Sequence, residues 1–189
     1  MSQIETLFNS KSITYVPTSD MVLKSQKDIG IIFPDSYVEF TSYYGIGTSN
    51  GFFIIDTPIT LKNYSGLHNR IIQNKNAFNS KLQPAIDDGF NIGDIDCLEP
   101  LDKESEFLVE HISNIIIYGR SINGDFLVWA SNGNIFKFFF VDSDCFSIRY
   151  TGESIRDLII KTQTEQIKYI LGTGYSPLPR IFDGAKNLD

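Results

Sequence analysis

The stretch from Phe126 to Val141 limits the choice of fold more than any other part of this chain. It reads Phe-Leu-Val-Trp-Ala-Ser-Asn-Gly-Asn-Ile-Phe-Lys-Phe-Phe-Phe-Val, two β-rich runs around an Asn-Gly pair. Asn-Gly is the strongest short hairpin signal, because both residues accept a positive φ. A two-residue turn at Asn132-Gly133 sets Trp129 opposite Phe136 and Leu127 opposite Phe138 on one face. Phe126 then opposes Phe139 on the other face, beside Val128, Ala130 and Ile135. Cross-strand pairs of this kind stabilise a sheet by roughly 0.2–1 kcal/mol each. Strands that are apolar on both faces must be covered on both, so these two belong in the middle of a sheet with layers above and below.

The neighbouring segments supply the rest of such a sheet. Ile115-Ile116-Ile117-Tyr118 reads as a strand leading to a second Asn-Gly pair at Asn123-Gly124, and Cys145 to Tyr150 reads as a further strand. Gly51 to Asp56 is a compact strand candidate bounded by turn formers. Helical patterns lie outside this block. Ser19 or Asp20 suits the cap of a helix running to about Ile29, and Gly30 suits the left-handed position beyond its end. Pro34 then suits the first position of a second helix, with Tyr37, Phe40 and Tyr44 on one stripe and a stop at Gly45. Leu61, Tyr64, Leu67, Ile71, Phe78 and Leu82 recur at helical spacing, with a break near Asn74 to Asn76. Thr151 suits the cap of one last long helix carrying Ile155, Leu158, Ile159, Thr162, Gln166 and Ile170, which ends at Gly172. Pro84 to Glu110 is rich in Asp, Glu and Gly and reads as a long surface excursion.

At 189 residues and 42% hydrophobic content, the chain is long enough for one full core with extensions. The expected division is an appendage over residues 1–17, a single domain over 18–172 and a tail over 173–189. No apolar run approaches the ~20 residues of a membrane-spanning helix. Met1 to Ser10 contains Glu5 and no basic residue, unlike a secretory leader. Cys97 and Cys145 have no C-x-x-C partner and suit buried thiols in a reducing compartment. Together these features point to a cytoplasmic address. The net charge of −7 is unevenly distributed. Residues 87–157 hold 14 acidic and five basic side chains, a balance of −9, while residues 1–86 and 158–189 each balance at +1. A chain that met nucleic acid directly would show the opposite sign.

The junction Phe33-Pro34-Asp35-Ser36-Tyr37, followed by Phe40 and Gly45-Ile46-Gly47, resembles the "Leu-Pro-x-x-Tyr … Phe … Asn-Gly" signature near the start of SUKH domains, the Smi/Knr type of fold. Phe33 stands in place of the family's Leu, and Gly45-Ile46-Gly47 where the family often has Asn-Gly. Gly124-Asp125-Phe126-Leu127-Val128 resembles the family's Gly-Asp entry to a central strand. Ser154-Ile155-Arg156-Asp157-Leu158-Ile159 resembles its closing helix. The resemblance covers roughly Thr18 to Gly172. It implies an α+β fold, an antiparallel sheet of about five or six strands flanked by N-terminal helices and a long C-terminal helix. It also implies binding without catalysis. Bacterial members are commonly immunity proteins that neutralise polymorphic toxins, many of them nucleases, whereas the fungal regulators are interaction modules in signalling or wall assembly. No catalytic residue and no cofactor is carried over.

The acidic run Asp87, Asp88, Asp94, Asp96, Glu99, Asp102, Glu104, Glu106 and Glu110 is the leading candidate for contact with a partner. Such a surface complements a cationic toxin groove built for phosphates, and charge of this kind raises association rates and selects partners. The same charges also suit a solvated loop that keeps the chain soluble. Tyr43 lies off the buried stripe of its helix and is a candidate exposed contact, while Trp129 belongs to the core. Asp94-x-Asp96 and Asp142-x-Asp144 lack the Gly and distal Glu of a calcium loop. His68 and His111 have no second ligand at zinc spacing. Cys97 and Cys145 have only His111 within reach, in an acidic setting that disfavours a thiolate. The reading is therefore a non-enzymatic, cofactor-free and metal-free module that binds a protein, a cognate toxin domain, and neither nucleic acid nor membrane. A regulatory scaffold of Smi/Knr type is the alternative, and a small hydrolase using acidic residues trails both.

Overall fold

The computed structural model of the chain describes residues 4–71, 76, 78, 80, 103–144 and 147–186. Within them lies one mixed sheet of β1 (Ser10–Ser12), β2 (Gly47–Ser49), β3 (Phe53–Ile55), β4 (Ile116–Ser121), β5 (Phe126–Asn132), β6 (Ile135–Val141), β7 (Ile148–Gly152) and β8 (Ile181–Gly184). The order across the sheet is β1-β8-β2-β3-β4-β5-β6-β7. Every neighbouring pair is antiparallel except β1–β8, which is parallel. The α+β class stands, but five or six antiparallel strands is corrected to eight strands in a mixed sheet. The extra strands β1, β2 and β8 are only three or four residues long, too short to show a period of two.

Helices α1 (Ser19–Ile29), α2 (Asp35–Tyr44), α4 (Ile155–Thr162) and α5 (Ile167–Leu171) serve one face of the sheet, and α3 (Lys103–Glu110) serves the other. Leu127, Trp129, Phe138 and Phe140 point into the first core with Val22, Phe33, Tyr37, Phe40, Tyr44, Leu158 and Ile159. Val128, Ala130, Phe139 and Val141 point into the second, with Ile117, Leu108 and Phe78. Both faces of β5 and β6 are covered, as their composition demands. Trp129 sits at the centre of the first core, stacked on Tyr118 at 5.4 Å and edge-on to Tyr37 at 5.1 Å.

The β5–β6 register differs from expectation by two residues. Asn132 pairs with Ile135, Trp129 with Phe138 and Leu127 with Phe140, so the loop is Gly133-Asn134. Gly133 has φ +60°, whereas Asn50 is the one non-glycine residue with positive φ among those described. Glycine in the first loop position alone is the II′ pattern, and it moves the turn one residue along the chain. A shift of two preserves which face each side chain occupies. The other pair, Asn123-Gly124, forms a three-residue loop in which Ser121 N–H donates to Asp125 O and Gly124 takes φ +90°. Tyr118 occupies a bulge between Ile117 and Gly119, which lets it and Gly119 share the first face.

The single long C-terminal helix is corrected to two. Helix α4 stops at Gln163, and α5 begins at Ile167. Ser154, not Thr151, caps α4. Its Oγ accepts from Asp157 N–H, and the Asp157 carboxylate takes the Ser154 hydroxyl and the Glu153 N–H in return. At the first helix the cap is Thr18, whose Oγ accepts from Met21 N–H. Helical structure in the next region opens at Leu67, not Leu61, because Leu61 and Tyr64 close a bridged turn instead. The excursion expected over Pro84 to Glu110 ends in helix α3, where Leu108 is fully buried.

The segments flanking residues 18–172 enter the fold directly. Ile4, Leu7 and Phe8 are buried in the first core, the Tyr44 hydroxyl donates to Ile4 O, and Phe182 of β8 packs on Tyr44. Gly45 admits this N-terminal segment. It has φ +71° and ψ −138°, and a Cβ there would lie 1.8 Å from Tyr15 O. Gly30 has almost the same φ, +73°, with nothing near its missing Cβ. Gly30→Ala is therefore expected to cost about 1 kcal/mol of backbone strain. Gly45→Ala should cost about 3–5 kcal/mol, because strain and a backbone collision add. Denaturant melts check this, and equal losses would mean that Tyr15 yields freely.

Candidate functional site

Of the acidic run, Asp87, Asp88, Asp94, Asp96, Glu99 and Asp102 lie outside the described residues, as do Cys97 and Cys145. Glu104 and Glu106 stand in the first turn of α3, where negative charge complements the helix dipole. Glu104 forms an ion pair with Lys137 of β6, whose ammonium also lies over the Phe107 and Tyr150 rings. Glu106 is exposed and faces solvent. Helix α3 is thus held to the sheet by Leu108 and Lys137 and exposes Glu106 and Glu110. Tyr43 is half-buried. Its hydroxyl accepts from Lys11 Nζ at 2.7 Å, and its ring meets Tyr44 edge-on. It is tied to β1 rather than standing free. His111 stacks on Phe107 at 4.2 Å, and its Nδ1 lies 2.9 Å from Phe107 O. Among the described residues no group of three His, Cys, Asp or Glu side chains could hold a metal, and no helix is long and apolar enough to cross a membrane.

The most distinctive surface lies elsewhere, where the α1–α2 junction meets the tip of the β5–β6 hairpin. A groove of about 370 Å³ opens there between Gly30, Ile31 and Ile32 on one wall and Ile116, Trp129, Ser131, Gly133 and Phe136 on the other. Ile71 and the turn Ser113-Asn114-Ile115, which follows α3, complete it. Beside it, a recess of about 520 Å³ is lined by Pro34, Asp35, Ser36, Asn134, Ile135, Phe136 and Glu153. Phe136 lines both, so the two are one continuous depression. Ile32 is 60% exposed and Ile135 58%, large apolar side chains facing solvent on either side of it. The described lining of the groove contains no titratable side chain.

The local sequence explains this geometry. Gly30 ends α1 in the left-handed conformation, and Phe33 N–H is taken by the Gln26 side chain at 2.8 Å. The chain is thereby turned so that Phe33 enters the core against Tyr37 and Trp129 while Ile32 points outward. On the opposite side, β5 and β6 run past their covering helices, which leaves Ile135 at the tip uncovered.

Among the described residues, Asp56 is the one charged side chain that is fully buried. Asp56, immediately after β3, places Oδ1 at 3.0 Å from Arg70 and 3.4 Å from Arg120, while Oδ2 has no hydrogen-bond partner. Tyr37 donates its hydroxyl to Asp56 O, and Asp56 N–H donates to Tyr118 O. Burial pushes the carboxyl up to about 6, and the two guanidiniums oppose that shift without cancelling it. The cluster fixes the helix that carries Arg70 and Ile71 against β3 and β4. Sequence reading passed over it because Arg70 and Arg120 lie 14 and 64 residues from Asp56. The visible signal was a charge ending the apolar run Phe52 to Ile55.

Comparison of the chain with family models, with curated proteins and with solved structures finds no match.

The sign of the Asp56 shift sets its pH dependence. The folded pKa, about 6, lies above the unfolded value of 3.8, so the folded state binds the proton more tightly. Its contribution to stability is complete below the unfolded pKa and is lost as pH rises through 6. The stability difference between wild type and Asp56→Asn should therefore move in favour of wild type by up to about 3 kcal/mol as pH falls from about 7.5 to 4. Urea melts of both proteins across that range measure it. A flat difference, or one sloping the other way, would show that the two arginines outweigh burial.

Proposed function

We propose that this chain is a non-enzymatic protein-binding module of SUKH type, an immunity protein of the bacterial cytoplasm that neutralises a toxin domain by covering its working cleft. The observation that carries this reading is the apolar groove at the α1–α2 junction, with exposed Ile32 and Ile135 nearby and no titratable group among its described lining residues. A catalytic pocket needs convergent acids, bases or nucleophiles. A docking groove needs apolar area that water leaves on contact, and this one has it. The SUKH-like segment from Phe33 to Tyr44 begins directly after Ile32 of the groove, and its Pro34, Asp35 and Ser36 line the neighbouring recess.

The acidic segment plays a different part. Glu104 and Glu106 lie on the helix that leads, through Ser113 to Ile115, into the groove. Negative charge beside an apolar anchor draws a cationic partner in and orients it, and the anchor then sets how long the partner stays. A nuclease cleft, built to hold phosphates, is cationic and suits such a surface.

Co-expression with the product of the neighbouring gene tests the proposal, and the expected result is co-purification with a short basic domain of that product. Binding kinetics then separate the two parts. Ile32→Asp with Ile135→Asp should raise the dissociation rate about tenfold or more with little loss of fold, since both side chains are exposed. Changing Asp94, Asp96, Asp102 and Glu104 together to Lys should slow association and abolish its salt dependence. Failure to bind that product, or turnover of a small compound by the chain alone, overturns the reading.

A further inference from the structure

The recess next to the apolar groove differs from it in charge, and the difference narrows the chemistry of what binds. Asp35 and Glu153 both line the recess, and both are exposed. Neither forms an ion pair among the described residues, and neither groove nor recess is lined by a lysine or arginine. With the two carboxylates, Pro34, Ile135 and Phe136 give the recess apolar lining, and Ser36 and Asn134 complete it.

Two helices begin at this recess, which by itself would favour an anion. Asp35 opens α2, Glu153 precedes the Ser154 cap of α4, and the Ser36 hydroxyl accepts from Ile155 N–H. Each helix start carries roughly half a positive charge, so the two amount to about one. Asp35 and Glu153 bring two negative charges, and Asp157 brings a third directly onto the start of α4. The negative sign wins.

We infer that the depression takes a linear segment of a partner protein that pairs an apolar side chain with a lysine or arginine. The apolar residue enters the groove between Ile32, Ile71 and Trp129, and the aliphatic stem of the basic residue crosses Phe136 to set its head between Asp35 and Glu153. Long basic side chains bury their stems on apolar surface while the charged end stays in water, and a cation over an aromatic face is further favoured. The two anchors must be close in sequence, within about three residues, because an extended chain advances roughly 3.3 Å per residue and Phe136 belongs to both recesses. The inference rests on the protein-binding reading above and adds to it the sequence grammar of the contact.

The test is selection of random dodecapeptides displayed on phage against the full chain. The selected peptides are then synthesised and titrated by fluorescence anisotropy. Enrichment of peptides that carry Lys or Arg within about three residues of Leu, Ile, Met or Phe is expected. Asp35→Asn with Glu153→Gln should weaken them about five- to tenfold and remove their salt dependence, while Ile32→Ser should weaken them without touching that dependence. Peptides that bind through Ile32 but lack a basic residue, and ignore the carboxylate variant, would overturn the inference and leave the docking surface standing. Peptides indifferent to both variants, or no peptide that binds in solution, would overturn the inference and count against the groove itself.

Discussion

Everything in this molecule follows from β5 and β6 being apolar on both faces. A strand pair of that kind cannot lie on a surface, and each face recruits its own cover. The first face takes α1, α2, α4 and α5 around Trp129, which touches Phe33, Tyr37, Tyr118 and Phe138. The second takes α3 and the helical residue Phe78, which meets Phe126 edge-on at 5.3 Å. The first cover is the larger, and it draws in the N-terminal residues Ile4, Leu7 and Phe8 and the late strand residue Phe182. That is why segments at both ends of the chain become structural. They complete the layer over the largest apolar face.

Legibility in the sequence tracked the length of the pattern. The seven-residue strands β5 and β6 and the aromatic stripe of α2 were plain, because their periods repeat often enough to be seen. Which face each residue of β5 and β6 occupies was also plain. Their register was not, since Gly133-Asn134 and Asn132-Gly133 differ by one step, and what separates them is the sign of φ at Asn132, positive in a type I′ turn and negative here. The clearest missed signal is Asn50-Gly51. Both residues have positive φ, +56° and +64°, and Phe52 N–H donates to Ser49 O across the turn. These angles are those of the type I′ turn that an Asn-Gly pair announces, set here in a three-residue loop because Ser49 pairs with Phe53. The surrounding strands are three residues each, so no alternation drew attention to it.

The same turn holds the C-terminal end of α4. Asn50 is buried, and its side chain donates to Ile159 O and Thr162 Oγ1 and accepts from Gln163 Nε2. Gln163 Nε2 also reaches Leu7 O. Gln163 N–H still closes the last turn on Ile159 O, and the helical ladder stops beyond it, where Thr162 O accepts from Leu178 N–H. The apolar spacing from Ile155 to Ile170 suggested one helix because both pieces bury the same side. A polar cluster assembled from residues more than a hundred positions apart left no trace in that spacing. The candidate site was hidden for a similar reason. Its apolar members come from five separate segments, and only the Ile29 to Pro34 junction looked unusual on its own.

The buried cluster and the exposed groove meet at the helical residues Arg70 and Ile71. Arg70 fastens that helix to Asp56, and the next residue, Ile71, forms a wall of the groove. A buried ion pair is a weak source of net stability, because desolvating the carboxylate offsets most of the attraction, and the raised Asp56 pKa is the sign of that cost. What such a pair does supply is position, since a guanidinium bound to one buried oxygen admits few arrangements. Arg120 contributes from β4, the strand whose first residue, Ile116, forms the facing part of the groove. One carboxylate therefore ties together two walls of the groove. A catalytic role for Asp56 would require that oxygen to be open to a substrate, whereas its side chain is 1% exposed and held by two arginines. The buried charge holds the groove in shape, as the proposed docking to another protein would require.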